Sequence, residues 1–136
     1  MRVVQRSNEA VLAAVEEWIE LLADDRYQEA FERLDPNGQY EWTPELIRNT
    51  AAGYGDPCGH TNDGVSHRVT SVANARESKT PVYRDVEWHG KPIRGFIGVV
   101  HHDIPLDGEW SDLTAIFLVR EVKGGVSLVL DQLHVL

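Results

Sequence analysis

Histidine and aspartate residues near the carboxyl end of the chain carry the groups best suited to proton transfer. They are His101, Asp103, Asp112 and Asp131, and Arg84 precedes them. A histidine beside carboxylates can hold a proton near neutral pH and pass it on. Two carboxylates against an apolar wall raise each other's proton affinity, which is a common way to make a general acid or base. We therefore predict His101, Asp112 and Asp131 as catalytic candidates.

The same residues also fit a purely structural role. Asp103 and Asp112 flank a turn, where aspartates are common and solvated. Asp131 can accept a backbone N–H at the rim of a sheet, and Arg84 can neutralise one of these acids. The sequence leaves both the catalytic and the structural interpretation open.

Three helices are predicted in the first third of the chain. Val11, Val15, Trp18 and Leu22 recur at helical spacing behind a cap at Ser7 or Asn8. A short second helix is predicted from about residue 26 to 34. A third begins at Thr43-Pro44, because a hydroxyl followed by proline is a strong helix start, and it ends near Gly53.

The rest of the chain predicts an antiparallel sheet packed against these helices, which gives an α+β fold. Strand-like runs cover residues 67–75, 82–89, 93–103, 110–122 and 126–135. We place tight turns at Gly90-Lys91, at Asp107-Gly108 and at Lys123-Gly124-Gly125.

Pairing the strands through these turns sorts the side chains onto two faces, and a one-residue slip would exchange them. The face predicted to lie beneath the helices is mostly apolar and contains Val86, Trp88, Ile97, Val99, Ile116, Leu118, Val129 and Leu133. The same face is predicted to carry six polar residues: Arg84, His101, Asp103, Asp112, Thr114 and Asp131. The opposite, outer face is predicted to expose Phe96, Phe117, Val119, Leu128 and Leu130. Because a monomer rarely leaves such a patch wet, we predict a homodimer, or a protein partner, docked on this outer sheet face.

Size and charge exclude several classes of protein. The 136 residues carry a net charge of −9, which disfavours nucleic-acid binding. No stretch of the sequence predicts a membrane span or a signal peptide, and a lone cysteine excludes an intrachain disulfide. We predict a single domain over residues 1–136, in the cytoplasm and without a cofactor.

A polar loop contains side chains of metal-binding type. They are Cys58, His60, Asp63 and His67. Their spacing matches no zinc signature, and no second cysteine is present, so we predict no metal site. A metal held by His101, Asp103 and Asp112 is a weaker variant. The roles of Cys58 and His60 stay open.

The order of these elements resembles the nuclear transport factor two-like superfamily. The local resemblance runs through Glu9–Leu34, including Tyr-Gln-Glu-Ala-Phe at 27–31, and through the terminal hairpin at Gly124-Gly125. Residues 103–106 and 111–114 also look like uncharacterised small bacterial members. The resemblance implies an α+β cone with a pocket between the helices and the concave sheet face. It transfers no catalytic residue, because no motif of an enzymatic subfamily is present.

Such a pocket would hold a small hydrophobic ligand. The predicted ligand-binding residues are Trp18, Arg84, Trp88, Asp103 and Thr114. Trp18 also fits an ordinary core aromatic.

For function, we predict a non-catalytic binding or accessory protein, of which a toxin-neutralising protein is one form. The alternatives are an enzyme of the ketosteroid isomerase, dehydratase or cyclase type, and a ligand carrier. Convergence of His101, Asp112 and Asp131 in an apolar pocket would favour the enzyme or the carrier. An interior filled by Trp18, Trp88 and Ile97 would favour the binding protein.

Overall fold

The computed structural model describes residues 1–58, 64–78 and 80–136. Within these residues three helices precede four strands, and the helices pack on a curved antiparallel sheet with the strand order β1-β2-β3-β4. The predicted α+β class is therefore confirmed. The elements are α1 (Asn8–Ala23), α2 (Tyr27–Arg33), α3 (Pro44–Ala52), β1 (Arg84–Ile93), β2 (Phe96–Leu106), β3 (Glu109–Val122) and β4 (Gly125–Val135).

The helices begin at the capping residues that the sequence indicates. The Ser7 hydroxyl accepts the Ala10 N–H at 3.1 Å ahead of α1. The Thr43 hydroxyl accepts the Leu46 N–H at 3.0 Å ahead of α3, whose first residue is Pro44. Each bond satisfies a backbone donor that has no partner inside the helix. In the described part of the chain, no helix has the length and apolar character needed to cross a bilayer.

Two of the three predicted turns are confirmed, and the first is wrong. Leu106 pairs with Glu109 across Asp107-Gly108, and Val122 pairs with Gly125 across Lys123-Gly124. The predicted turn at Gly90-Lys91 instead lies inside β1, which continues to Ile93. The chain reverses at Arg94-Gly95, where both residues have positive φ (53° and 87°), as a two-residue hairpin turn requires.

This displaced turn changes which side chains share a face. Arg84 pairs with His102 and Trp88 pairs with Gly98, whereas the predicted turn would set Arg84 opposite Ile97. The two registers differ by an odd number of residues, so the face assignment of β2 relative to β1 is reversed. The prediction that β1 turns Arg84, Val86 and Trp88 toward the helices holds. Its extension to β2 and β3 is wrong.

On β2 and β3 the face covered by the helices is therefore the one predicted to be outermost, whereas Leu133 of β4 is buried as predicted. Phe117 and Val119 have no exposed surface, and Leu128 and Leu130 are buried as well. The Trp18 ring on α1 meets the Phe117 ring edge-on, with 5.1 Å between the centroids. Because all of this patch except the half-buried Phe96 lies in the core, it cannot be the docking surface on which the homodimer prediction rested.

The strand predicted over residues 67–75 is replaced by single bridges. Val69 forms an isolated antiparallel bridge with Leu106, and Arg76 forms a parallel one with Glu109. The Thr70 N–H also donates to the Pro105 carbonyl at 3.1 Å. This segment therefore runs along the end of the sheet near the β2–β3 turn.

A buried carboxylate ties the connection between α2 and α3 to β4. Asp35, 3% exposed, accepts hydrogen bonds from Arg120 Nε at 2.6 Å, from the Ser127 hydroxyl and from Asn37. Its own N–H donates to the Leu128 carbonyl at 2.8 Å. Burial raises the pKa of the Asp35 carboxyl, but these hydrogen bonds lower it more, so the net shift is downward.

We expect Asp35→Ala to reduce the free energy of unfolding by roughly 3–5 kcal/mol, because it leaves Arg120 and Ser127 without their partner. Urea unfolding at pH 7 measures this. Asp85→Ala, at an exposed position on β1, is the control and should change stability by less than about 0.5 kcal/mol. Equal effects of the two substitutions would contradict the anchoring role.

Candidate functional site

The structure places His101 and Asp103 on the sheet face that the helices leave open. The His101 ring stacks on Tyr83, with 4.8 Å between centroids and 9° between ring planes. The Asp103 carboxylate accepts the Tyr83 N–H at 2.8 Å and the Thr114 hydroxyl at 2.7 Å. Both Asp103 oxygens thus have a partner in the protein.

The three predicted catalytic residues lie apart. His101 on β2 pairs with Ile116, which is four residues, or roughly 13 Å, along β3 from Asp112. Asp112 is exposed. Asp131 is the extra residue of a β4 irregularity opposite Ile116 and Phe117, so one whole strand separates it from His101. The backbone register therefore does not assemble a proton-transfer triad, and the catalytic role of these residues stays a prediction.

The predicted ligand-binding residues on the helix side occupy different environments. Trp18 lies in the core, only 2% exposed. Trp88 donates its indole N–H to the side chain of Asn8, the first residue of α1, and the Arg6 guanidinium lies 5.6 Å from the centre of the Trp88 ring. The Arg84 guanidinium lies 3.4 Å from the Glu16 carboxylate on α1. These three residues fix the helix to the sheet rather than surround one space.

The space between α1 and the sheet is filled. The cavity lined by Trp18, Phe117 and Leu128 measures about 20 Å³. Such a volume accommodates about one water molecule. It is far below the roughly 300 Å³ at which small-molecule sites begin. This interior cavity therefore offers no room for an organic substrate.

His102 is a buried polar residue that the sequence reasoning missed. It has no exposed surface, and its Nδ1 lies 2.7 Å from the Asp103 carbonyl oxygen, which assigns the proton to Nδ1. Its Nε2 has no hydrogen-bond partner in the described residues and lies 3.9 Å from the Glu16 carboxylate. The adjacent His101 has the same side chain, so only the strand register determines which of the two histidines is buried.

The groups around His102 favour its neutral form. Burial lowers the pKa of the imidazole, and the Arg84 guanidinium lowers it further, whereas the Asp103 carbonyl and the Glu16 carboxylate raise it by less. The Arg84 guanidinium also lies 5.2 Å from the centre of the Trp110 ring. Arg84 and Glu16 thus form a charge pair at the edge of the buried ring.

The metal-capable loop residues do not form a cluster in the described part of the chain. Cys58 is exposed, and the His67 Nδ1 pairs with the Asp107 carboxylate at 2.7 Å. His60 and Asp63 lie outside the described residues. Within the ranges 1–58, 64–78 and 80–136, no group of three His, Cys, Asp or Glu side chains is placed to hold a metal ion.

The open sheet face combines an apolar centre with an acidic edge. Two rows of cross-strand neighbours define it. One row is Glu87, Val99, Leu118 and Val129, and the other is Asp85, His101, Ile116 and Gln132. Val99, Ile116 and Leu118 are half-buried and Asp85 and Glu87 are exposed, whereas Val129 is buried beneath the α2–α3 connection.

Comparison with known proteins adds no relative to this description. The chain matches no protein-family model, and no curated protein or solved structure shows significant similarity to it.

We expect His102 to make stability depend on pH. The pKa of the His102 imidazole is about 6.5 in the unfolded chain, and it is lower in the folded protein. Between these values the unfolded state binds more protons, so stability falls as the pH drops below about 6.5, by up to about 1.4 kcal/mol per pH unit.

Urea unfolding of wild type and His102→Leu at pH 7.5, 6.5 and 5.5 measures this effect. The variant should lose less stability than wild type on acidification. His101→Leu, at a half-buried position, should keep the wild-type dependence. If the three proteins lose equal stability, His102 is not the titrating group.

Proposed function

We propose that this chain is a non-catalytic protein-binding module, and that its open sheet face docks on a partner with an apolar patch beside basic side chains. The observation that carries this proposal is the row of Val99 and Leu118 next to Glu87, on a face that the helices leave uncovered. A contiguous apolar patch on the surface of a small protein commonly marks an interaction site.

The charges on this face favour a basic partner. Asp85 and Glu87 are exposed at the β1 edge of the two rows. The nearby Arg120 is engaged by Asp35. The whole chain carries a net charge of −9. Complementary charge speeds association and suppresses wrong partners, so basic groups on the partner would meet the acidic edge.

A second copy of the chain fits this face less well. Neither row contains a lysine or arginine, so a second copy would bring acidic groups without a cation to pair with them. A homodimer is predicted through the patch that the structure buries, so a homodimer through this face is an outcome that the test must separate from a basic partner.

Several finer features remain part of the proposal. The order of three helices and a four-stranded antiparallel sheet is compatible with a nuclear transport factor two-like cone. We propose a cytoplasmic location, with toxin neutralisation as one form of the activity. The enzyme and carrier alternatives need an interior pocket, and the 20 Å³ cavity beneath α1 does not favour them.

Two substitutions on the face test the proposal. Leu118→Asp removes apolar contact area, and Glu87→Lys reverses the edge charge. Each should weaken capture of a specific protein by tenfold or more, as expected for residues central to an interface. Capture on immobilised protein, quantified by mass spectrometry and repeated with the purified partner, measures the loss.

The matched controls lie in the loop before β1. Ser78→Asp and Glu77→Lys make the same charge changes at exposed positions and should leave capture unchanged. All four variants should keep cooperative thermal unfolding. Sedimentation of wild type as a dimer that Leu118→Asp dissociates would contradict the basic-partner proposal, as would equal capture by every variant.

A further inference from the structure

A second concave surface lies at the β4 edge of the sheet, where the α2–α3 connection passes over Val129 at the end of the open-face row. It is a pocket of about 630 Å³ between the end of α2, the α2–α3 connection and β4. Three aromatic side chains, Phe31, Tyr40 and Trp42, line it together with Leu130. We call it the aromatic pocket. Its volume lies in the range of small-molecule sites.

The lining of the aromatic pocket carries negative charge. Glu32 and Glu41 contribute carboxylates, and no lysine or arginine is among the described residues that line it. The α-amino group of Met1 lies at the same pocket and donates to the Glu32 carbonyl oxygen at 2.7 Å.

The aromatic pocket is fixed in shape by the protein. The Asp35 N–H donates to the Leu128 carbonyl, and the Asp35 carboxylate binds Arg120 and Ser127. These bonds hold the start of the connection against β4. A preformed pocket costs less conformational entropy on ligand binding than one that must order first.

Trp42 contributes its ring to the same lining. Its indole N–H is buried and has no hydrogen-bond partner in the described ranges 1–58, 64–78 and 80–136. Because that N–H has no exposed surface, it does not reach the open space of the pocket, and the ring is the part of Trp42 that a bound molecule can contact.

We propose that the aromatic pocket binds an organic cation, an ammonium or guanidinium group, against the faces of Phe31, Tyr40 and Trp42. A cation over an aromatic face is attracted by the ring quadrupole, and the attraction strengthens as water is excluded. Glu32 and Glu41 add a favourable charge. The cation is either a free small molecule or the side chain of a lysine or arginine, and this inference does not depend on the sheet-face proposal.

The experiment uses the full chain and compares a cation with its neutral isostere. Choline chloride is titrated against 3,3-dimethylbutan-1-ol, which has the same shape without the charge. An arginine-containing tripeptide with blocked ends is titrated separately. Shifts of the Trp42 indole resonance in nuclear magnetic resonance spectra follow the binding.

We expect saturable binding of choline or of the peptide, with the neutral isostere at least tenfold weaker. Tighter binding of choline assigns a free cation, and tighter binding of the peptide assigns a protein side chain. Saturation by neither cation, or equal binding of choline and its isostere, would overturn the proposal.

Variants locate the binding to the aromatic pocket. Tyr40 is 51% exposed, so Tyr40→Ala should fold and should weaken cation binding by about tenfold. Glu41→Gln should weaken it severalfold, and Glu45→Gln, an exposed position outside the lining, should not. Unchanged affinity in both Tyr40→Ala and Glu41→Gln would overturn the assignment even if choline binds.

Discussion

The packing of α1 on one face of the sheet determines which parts of this protein are closed and which are open. Val11, Val15 and Ile19 on α1 have no exposed surface, and the Trp18 ring meets Phe117 edge-on. Burying such side chains supplies most of the free energy that holds two layers together. Because the helices cover this face alone, the opposite face of β2 and β3 is left to solvent or to a partner, while the α2–α3 connection covers Val129 of β4.

Both edges of the sheet are protected against pairing with a further strand. Along β4, Val4 pairs with Val126 and the Asp35 N–H binds the Leu128 carbonyl. At the other edge, β1 contains Lys91 and Pro92, residue types that discourage the addition of another strand. A partner that docks through the open face is therefore more compatible with this sheet than one that adds a strand.

Local signals explain what the sequence could predict. Helix starts at Ser7 and Thr43 depend on neighbouring residues, and so does the turn at Asp107-Gly108. The first hairpin offered two competing turn signals, Gly90-Lys91-Pro92 and Arg94-Gly95, and the wrong choice exchanged His101 for His102 as the buried histidine. Three register shifts, at Trp88/Ile93, Asp103/Pro105 and Ile116/Phe117, were not part of the predicted strand pairing. The candidate site was therefore less predictable than the fold.

Comparing the solvent exposure of adjacent residues, within β2 and within β3, tests the assignment of the two sheet faces most directly. Val99 and Leu118 are half-buried on the open face, whereas the adjacent Val100 and Val119 have no exposed surface. A soluble paramagnetic chelate added to methyl-labelled protein relaxes the methyl groups that solvent reaches. We predict strong relaxation of the Val99 and Leu118 methyl groups and little of Val100 and Val119. Equal protection within both pairs, or the reverse order, would contradict the open sheet face and the function proposed for it.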